Sequence, residues 1–517
     1  MKHKTLVLIM VLVLLLKCSI AQAVPQSGTI DSSDSSYNPH ELKGLVLDHD
    51  KQTALPYATI YVLHTNKGAV SNEHGHFTID ISGLGISDTL RFQYIGFKTR
   101  NIPLSDFDSV STVYLQEEIF NLNEVLVFGS NPDPREIVKK VLENKAQNYK
   151  ASGSRRQVFV RERHIQDVVD FDIKYKKSTI DGLDEKMIDL MEDKFPRNFT
   201  SFTDFLGDLY FNKKLDDSII FKVNPIKMVE LKEKDIAEPE MMESTFENVF
   251  KNTNEGEYWK VKSGLFGSKI EMDSLVEEKS NDSLDINKRK VKDYARSLNY
   301  NIMYSSLTNK DQWEFLHKTG KYDYSLAGGT RVNGEDVYII DFTPKSSGVF
   351  SGRMFIAMNT YALIRADYDY APGKIGRDFQ FLGVGYTETG FGGSVYFEKK
   401  DDRYVLKYFA FTSGSSVNFD RPLALIKKRT RFLFDKKLKE IRVNIDVSLL
   451  MRGSVEYLVL SDEDISAAQF AGFTQPETME VIYVDQFDDK LWQGFSIIEP
   501  TRQMKEYKKQ ELNFKSN

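Results

Sequence analysis

Gly68-Ala69-Val70-Ser71-Asn72-Glu73-His74-Gly75-His76-Phe77 is the stretch on which the fold reading turns. A short apolar run meets a tight polar turn, and Gly75 supplies the freedom for positive φ that such a turn needs. Phe77-Thr78-Ile79-Asp80-Ile81 then alternates apolar and polar residues, the period of a half-buried strand. Working outward, Gly44 to Leu47 reads as a first strand and Asp48 to Thr53 as a polar turn. Pro56 to Val62 reads as a second strand, Asn66-Lys67-Gly68 as a turn, and Asp88 to Phe97 and Val110 to Leu115 as closing strands. Turn signals at about eight- to twelve-residue spacing are the pattern of a small β-sandwich.

The chain has 517 residues, 41% hydrophobic, 28% charged and 12% aromatic, which is globular composition and excludes a disordered or collagenous chain. At ~150 residues per domain this length accommodates two to four domains. A formal charge of -6 gives no electrostatic case for nucleic-acid binding. The single cysteine, Cys18, excludes a disulfide framework and a cysteine-based zinc site.

The first segment reads as an export signal. Lys2 and Lys4 precede an apolar run from Leu6 to Leu16, and Ala21-Gln22-Ala23 follows as a small-x-small cleavage site. The run is shorter than the ~20 apolar residues of a membrane span. Leu16-Lys17 before Cys18 does not fit a lipoprotein processing site. Cleavage after Ala23 would leave a cysteine-free chain, which suits an oxidising compartment outside the cytoplasm.

Four motifs together carry a resemblance: Gly44-x-Val46; Leu55-Pro56-Tyr57-Ala58-Thr59-Ile60; Gly68 to Phe77; and Leu90-x-Phe92-x-Tyr94-Ile95-Gly96-Phe97. Over Glu41 to Gln116 the chain resembles the carboxypeptidase-regulatory-like domain. That resemblance implies a transthyretin-like β-sandwich, common at the start of Gram-negative envelope proteins, with Phe77, Phe92 and Tyr94 as core candidates. It implies no peptidase activity, because in metallocarboxypeptidases this module lies beside the catalytic domain and holds no zinc. None of the eight histidines here has a glutamate three residues on, and no HExxH occurs. His74-Gly75-His76 is the one metal-like pair, and an exposed polar turn explains it better than a site lacking further ligands.

Leu122-x-Glu124-Val125-Leu126-Val127-Phe128-Gly129 is similar to the segment that joins this module to the plug of TonB-dependent receptors, but no plug follows. Instead Asp133-Pro134-Arg135-Glu136 opens a helix, with Asp133 as cap and Pro134 at the first helical position. Helical spacing of Ile137, Val138, Val141, Leu142, Ala146 and Tyr149 carries it to about Tyr149. Beyond Arg156 the chain reads as long strands, a part-helical stretch with a helix over Glu185 to Glu192, a polar region from Glu230 to Phe250, and a charged run from Asp273 to Lys292. Ile441, Val443, Ile445, Val447 and Leu449 alternate with polar residues, as do Ala362, Ile364, Ala366 and Tyr368 with Arg365, Asp367 and Asp369. Val337 to Ala366 is similar to the lipoprotein-localisation-factor-like half-barrel, which curls one sheet around an apolar cavity. Trp492 to Thr501 reads as a closing strand, with a helical tail over Met504 to Leu512. Lys427, Lys428, Arg429 and Arg431 form a basic spot before Phe432 and Phe434, read as contact with anionic lipid or polysaccharide or as a lysine-guarded strand edge.

The expected fold is mainly β: a small transthyretin-like sandwich, a linker helix, and a large antiparallel β domain with inserted helices. The expected organisation is signal peptide 1–23, flexible tether 24–40, carboxypeptidase-regulatory-like sandwich 41–118, linker strand and helix 119–155, large β-rich domain 156–500 and tail 501–517. No nucleophile elbow, P-loop or zinc signature occurs. The expected function is therefore that of a non-enzymatic cell-envelope protein, periplasmic or outer-membrane associated. The sandwich would serve as a positioning module and the large domain as a binding or scaffold unit. An outer-membrane β-barrel or transport-associated protein and an envelope hydrolase without a motif are the alternatives. No residue is assigned a catalytic, cofactor-binding or metal-ligating role, and no cofactor is expected. The expected partner is an envelope protein or outer-membrane component, with a glycan or lipid as possible ligand and no nucleic acid.

Overall fold

The computed structural model describes residues 41–507, except 66, 108–109, 121–131, 151, 196, 214–218, 233–253, 255, 265, 271–286, 433, 493–494 and 496. The leader, the tether, the Leu122–Gly129 segment and most of the polar and charged runs lie outside the described residues. The chain is mainly β, with 57% in strands and 15% helical.

Seven strands build the amino-terminal unit. β1 (Glu41–Asp48) pairs antiparallel with β4 (His76–Asp80) and parallel with β7 (Val110–Leu115). β2 (Thr59–Val62) lies between β3 (Gly68–Val70) and β5 (Thr89–Gln93), and β6 (Arg100–Pro103) completes that sheet. The two sheets enclose Val46, Ile60, Phe77, Leu90, Phe92 and Val113, all at most 1% exposed. Gly75 adopts φ +78° where the turn was read, and Gly96 adopts φ +87°. Gly68 opens β3 rather than ending a turn. β6 carries no alternation to read, since Arg100, Asn101 and Pro103 are exposed. The strand read over Asp88 to Phe97 stops at Gln93, where the Phe97 N–H returns to the Tyr94 carbonyl.

Sixteen further strands follow: β8 (Ser154–Ser178), β9 (Asn198–Lys213), β10 (Ile219–Lys232), β11 (Glu257–Ser263), β12 (Phe266–Ile270), β13 (Lys288–Lys290), β14 (Tyr322–Val332) and β15 (Glu335–Pro344), then β16 (Phe350–Ala357), β17 (Leu363–Tyr370), β18 (Asp378–Phe381), β19 (Val384–Lys400), β20 (Arg403–Arg429), β21 (Lys436–Asp464), β22 (Thr478–Glu480) and β23 (Ile482–Val484). Fourteen of them share one sheet, in the order β14-β15-β16-β17-β19-β20-β21-β8-β9-β10-β23, with β11, β12 and β18 alongside. Among the described residues that order is an open path from β14 to β23, not a closed ring.

Alternation sends neighbouring residues to opposite faces. On one face Val158, Val160, Phe205, Phe409 and Tyr457 join a core with helix α1 (Pro134–Glu143) and, farther along the chain, the Val291–Ser305 helix. On the other face Phe159, Phe202, Leu206, Tyr408 and Leu458 pack with Val70 of the sandwich and with Trp492, Ile498 and Met504. A third core, under α2 (Glu185–Lys194), gathers Phe171, Ile173, Trp259, Ile445 and Val447 where the longest strands run on.

Several expectations change. Asp133 caps α1 through a hydrogen bond from the Arg135 N–H at 2.9 Å, but the helix ends at Glu143 and only a separate turn, Lys145–Asn148, precedes Tyr149. The apolar cavity implied by the half-barrel resemblance is filled: Trp313 and Phe315 are fully buried, with Phe315 stacked on Phe342 at 4.3 Å and Trp313 against Tyr368 at 5.6 Å. Residues 497–501 form no strand. They lie as irregular chain under the sheet, with Ile498 fully buried and its carbonyl taking a hydrogen bond from Arg161 at 2.8 Å. Lys427 and Arg429 are not at a strand edge, because β20 has β11 on one side and β21 on the other there. Among the described residues no helix is long and apolar enough to cross a membrane.

At Gly75 an added Cβ would stand 2.6 Å from the Val46 carbonyl oxygen, in a backbone conformation that L side chains rarely adopt. Gly75→Ala should destabilise the sandwich by about 1–3 kcal/mol. Gly85→Ala, which meets only side-chain atoms at ordinary contact distance, should be near neutral. Urea titration of the two variants measures the difference.

Candidate functional site: the seam between sandwich and sheet

The sandwich is seated on the large sheet by side chains that the alternation rule places outside. On β17 the odd positions Arg365, Asp367 and Asp369 read as the side opposite the apolar residues, and Arg365 is 5% exposed there. Its Nη2–H donates to the Tyr94 hydroxyl at 2.7 Å, and its Nε–H to Asp367 at 2.8 Å. The guanidinium carbon also stands 4.4 Å from the Tyr94 ring centroid. Asp367 accepts a further hydrogen bond from Ser394 at 2.6 Å. Burial pulls the Arg365 pKa down, but Asp367 and Tyr94 together outweigh it and the net direction is up. Tyr94, a core candidate from sequence, thus packs its ring on the sandwich and spends its hydroxyl on the sheet.

A second contact is aromatic. Tyr57 holds φ +65°, an uncommon conformation for a bulky residue, and sets its ring 4.4 Å from that of Tyr408 on β20. The chain leaving the sandwich makes a third. Phe120 and Gly329 exchange backbone hydrogen bonds of 2.9 and 3.0 Å, covering part of the free edge of β14. Gly328 at φ +141° admits this approach, since a Cβ there would stand 2.8 Å from Ile119.

Between these contacts lies a shallow, open cleft with an enclosed volume of about 60 Å³. Tyr57, Tyr94 and Phe97 line it from the sandwich, and Arg331, Asn333, Tyr396, Lys407 and Tyr408 from the sheet. The lining has aromatic faces, amides and hydroxyls but no histidine, cysteine or carboxylate. Such a surface can stack a flat or ring-shaped ligand and hydrogen-bond its rim.

A row of charge crosses three strands beneath the seam. Glu456 on β21 is opposite Arg161 on β8, and Arg161 is opposite Asp204 on β9. Arg161 forks onto both Asp204 oxygens at 2.8 Å. Arg161, Asp204 and Glu456 are 3%, 0% and 7% exposed. Among the described residues Glu456 Oε1 has no hydrogen-bond partner. Burial raises the Glu456 pKa to about 7 despite the opposing pull of Arg161. The sandwich reaches this row through Glu73, 3.5 Å from Arg163, and Asn72, whose amide donates to the Pro500 carbonyl at 3.4 Å.

The quoted His74-Gly75-His76 turn is built by that same Asn72. Its side-chain oxygen accepts the N–H groups of His74 and His76 at 2.9 and 3.1 Å. Among the described residues no three His, Cys, Asp or Glu side chains gather as a metal set. The sequence reading named no site residue, so Arg365, Glu456, Arg161 and Asp204 were all missed. The one available signal was an arginine between the apolar positions of β17, followed two residues later by an aspartate.

Because Glu456 has a folded pKa above its unfolded value, its neutral form favours the folded state. Its contribution is fully present below about pH 4.5 and declines as pH rises to about 7. Glu456→Gln should remove that decline, so that melting curves of the variant and the parent diverge by about 1–3 kcal/mol between pH 5 and pH 8. Parallel pH profiles of the two proteins would refute the assignment.

Comparison with known proteins bears on the two units unequally. No curated protein matches the chain. Among solved structures, a MucA/MucB complex of Pseudomonas aeruginosa matches at 10% identity, over 65% of this chain and all of that one, with a TM-score of 0.18. A putative outer membrane lipoprotein-sorting protein domain from Vibrio parahaemolyticus matches at 9%, over 65% and 97%, with a TM-score of 0.18. A putative membrane-associated protein of unknown function from Bacteroides fragilis matches at 9%, over 81% and 98%, with a TM-score of 0.13. Residues 42–127 match the family model of the CarboxypepD_reg-like domain, and the amino-terminal unit of the chain is such a domain.

Proposed function

We propose that the protein is a non-enzymatic component of the cell envelope, exported from the cytoplasm and working as a binding or scaffold unit. In this reading the sandwich does not swing as a free module. It is held on the large sheet so that the seam cleft keeps one shape and offers it to a glycan or to another envelope component. The observation that carries the reading is the buried Arg365–Asp367–Tyr94 contact, which fixes the two units together. The leader-like start from Lys2 to Ala23 supports export. A lining of tyrosines, amides and cations without a carboxylate or imidazole suits binding better than acid–base chemistry.

Cell fractionation tests the location. Recovery with the envelope and release by alkaline carbonate is the expected result. Retention until detergent, with gel mobility that changes on heating, would mean an integral barrel and end this reading.

The seam has its own test. Arg365→Ala leaves the Tyr94 hydroxyl and part of Asp367 unpaired, and should loosen the two units by about 2 kcal/mol or more, less than a fully buried pair because Asp367 is partly exposed. Limited proteolysis should then cut between residues 116 and 133 faster than in the parent. Unchanged cleavage would show that Arg365 does not hold the seam.

A further inference from the structure

The longest hairpin of the sheet ends in a turn that the seam does not use. β20 and β21 close with Arg429 opposite Lys436. In the turn Phe432 is fully exposed and Phe434 is 86% exposed, the two most exposed large apolar side chains among the described residues. Between Lys427 and Lys439 the chain carries seven cations and one carboxylate, inside a protein of net charge -6.

Part of that charge is already matched. Lys427 and Arg429 pair with Glu257 at 2.8 and 2.6 Å, Lys437 with Glu440 at 2.8 Å, and Lys439 with Asp181 at 2.6 Å. The lone carboxylate of the turn, Asp435, takes the Tyr258 hydroxyl as its donor. Lys428, Arg431 and Lys436 have no ion pair among the described residues. The partners Glu257 and Tyr258 both belong to β11, which is laddered to β20 from Glu257 to Ser263. The turn is therefore braced by a third strand, and it presents two phenylalanines flanked along the chain by three unmatched cations.

We propose that this turn is a membrane-surface contact: Phe432 and Phe434 enter the interfacial layer of a bilayer bearing anionic headgroups, and Lys428, Arg431 and Lys436 meet the headgroup phosphates. Charge complementarity selects the occupant. Phosphate-bearing lipid supplies both the negative surface and the apolar layer beneath it, and basic residues beside buried aromatic ones are the pattern of interfacial binding. A second copy docked turn to turn would bring like charge against like charge. The proposal rests on the envelope reading above for its biological setting.

The test uses the full chain as matured by its own host, with its amino terminus read by mass spectrometry, and two kinds of vesicle. One is phosphatidylcholine alone, the other an equal mixture with phosphatidylglycerol. Sedimentation should show binding to the mixed vesicles that weakens in high salt and is small on phosphatidylcholine. Phe432→Ser with Phe434→Ser should lower the bound fraction about tenfold, and so should Lys428→Glu with Arg431→Glu and Lys436→Glu. Both sets lie on turn and strand positions that are exposed, or half-buried in the case of Lys428, and melting curves check that they fold. A Phe432→Trp variant should shift its emission to the blue on mixed vesicles, since the native Trp259, Trp313 and Trp492 are at most 3% exposed and give a constant background.

Equal sedimentation of the parent and the serine variant overturns the proposal, as does a Phe432→Trp emission unmoved by lipid. So does a tip-dependent self-association that explains the sedimentation without vesicles. Envelope fractionation with no vesicle binding removes the lipid contact and leaves the function reading standing. Vesicle binding by a protein found outside the envelope removes the function reading instead.

Discussion

A sheet whose central strands run 25, 27 and 29 residues has two faces to keep from water along its whole length, and no single helix reaches that far. The rest of the molecule is arranged by that requirement. Helix α1 and the Val291–Ser305 helix cover one face of one half, α2 covers the far part of the long strands, and the opposite face is left to the sandwich and the carboxyl-terminal segment. The sandwich is thus structural cover for the sheet as well as a unit in its own right. Its docking buries residues such as Tyr408 and Leu458, which would otherwise be an apolar patch on the outside of the sheet.

Covering a sheet face with a second domain has an electrostatic consequence. Arg161, Asp204, Glu456 and Arg365 all leave the period-two pattern as polar residues, and all end in a low-dielectric seam. Three of them find partners there: Arg161 and Asp204 each other, and Arg365 the pair Asp367 and Tyr94. Glu456 does not satisfy both oxygens, and it is the group whose proton equilibrium moves into the neutral range. A buried polar row constrains register more strongly than an apolar one, because a slip by one residue would leave each member unpaired.

The parts of this fold legible in the sequence were those determined by local pattern. Gly75 occupies the positive-φ position at which the turn is expected, and Phe77 and Phe92 lie at the centre of the sandwich. The helix read over Glu185 to Glu192 forms as Glu185–Lys194, and Ile445 and Val447 face a core as their alternation implied. The parts not legible were determined by what packs from a distance. Alternation reports that a residue faces away from one core, and it cannot report that a second domain waits on the other side. Arg365 therefore shows in the pattern only as a member of the polar side of its strand, and Glu456 gives no signal at all. The helix expected to reach Tyr149 breaks at Asn144, whose side-chain amide donates to the Lys140 carbonyl at 2.8 Å, and the Tyr149 hydroxyl donates to the Leu363 carbonyl at 2.8 Å, on the sheet. Trp492 to Thr501 has a strand's composition, but its Ile498 carbonyl is met by the Arg161 side chain rather than by a ladder.

The register of β8 bears on how such a chain comes to be folded. Ser154 is opposite Asp464 and Ser178 opposite Ile441, partners about 300 residues apart in the sequence, whereas every pairing of the sandwich closes between residues 41 and 115. As the chain emerges, the sandwich can complete itself while β8, paired on one side with β9, waits for nearly the whole remaining polypeptide before its other edge is filled. Through that interval a 25-residue edge of apolar and polar alternation stands open. The strand that fills this edge, β21, decides whether the nascent chain becomes a monomeric sheet or adds its bare edge to that of another copy. Loss of the chain from Lys436 onward would therefore threaten solubility as well as the seam.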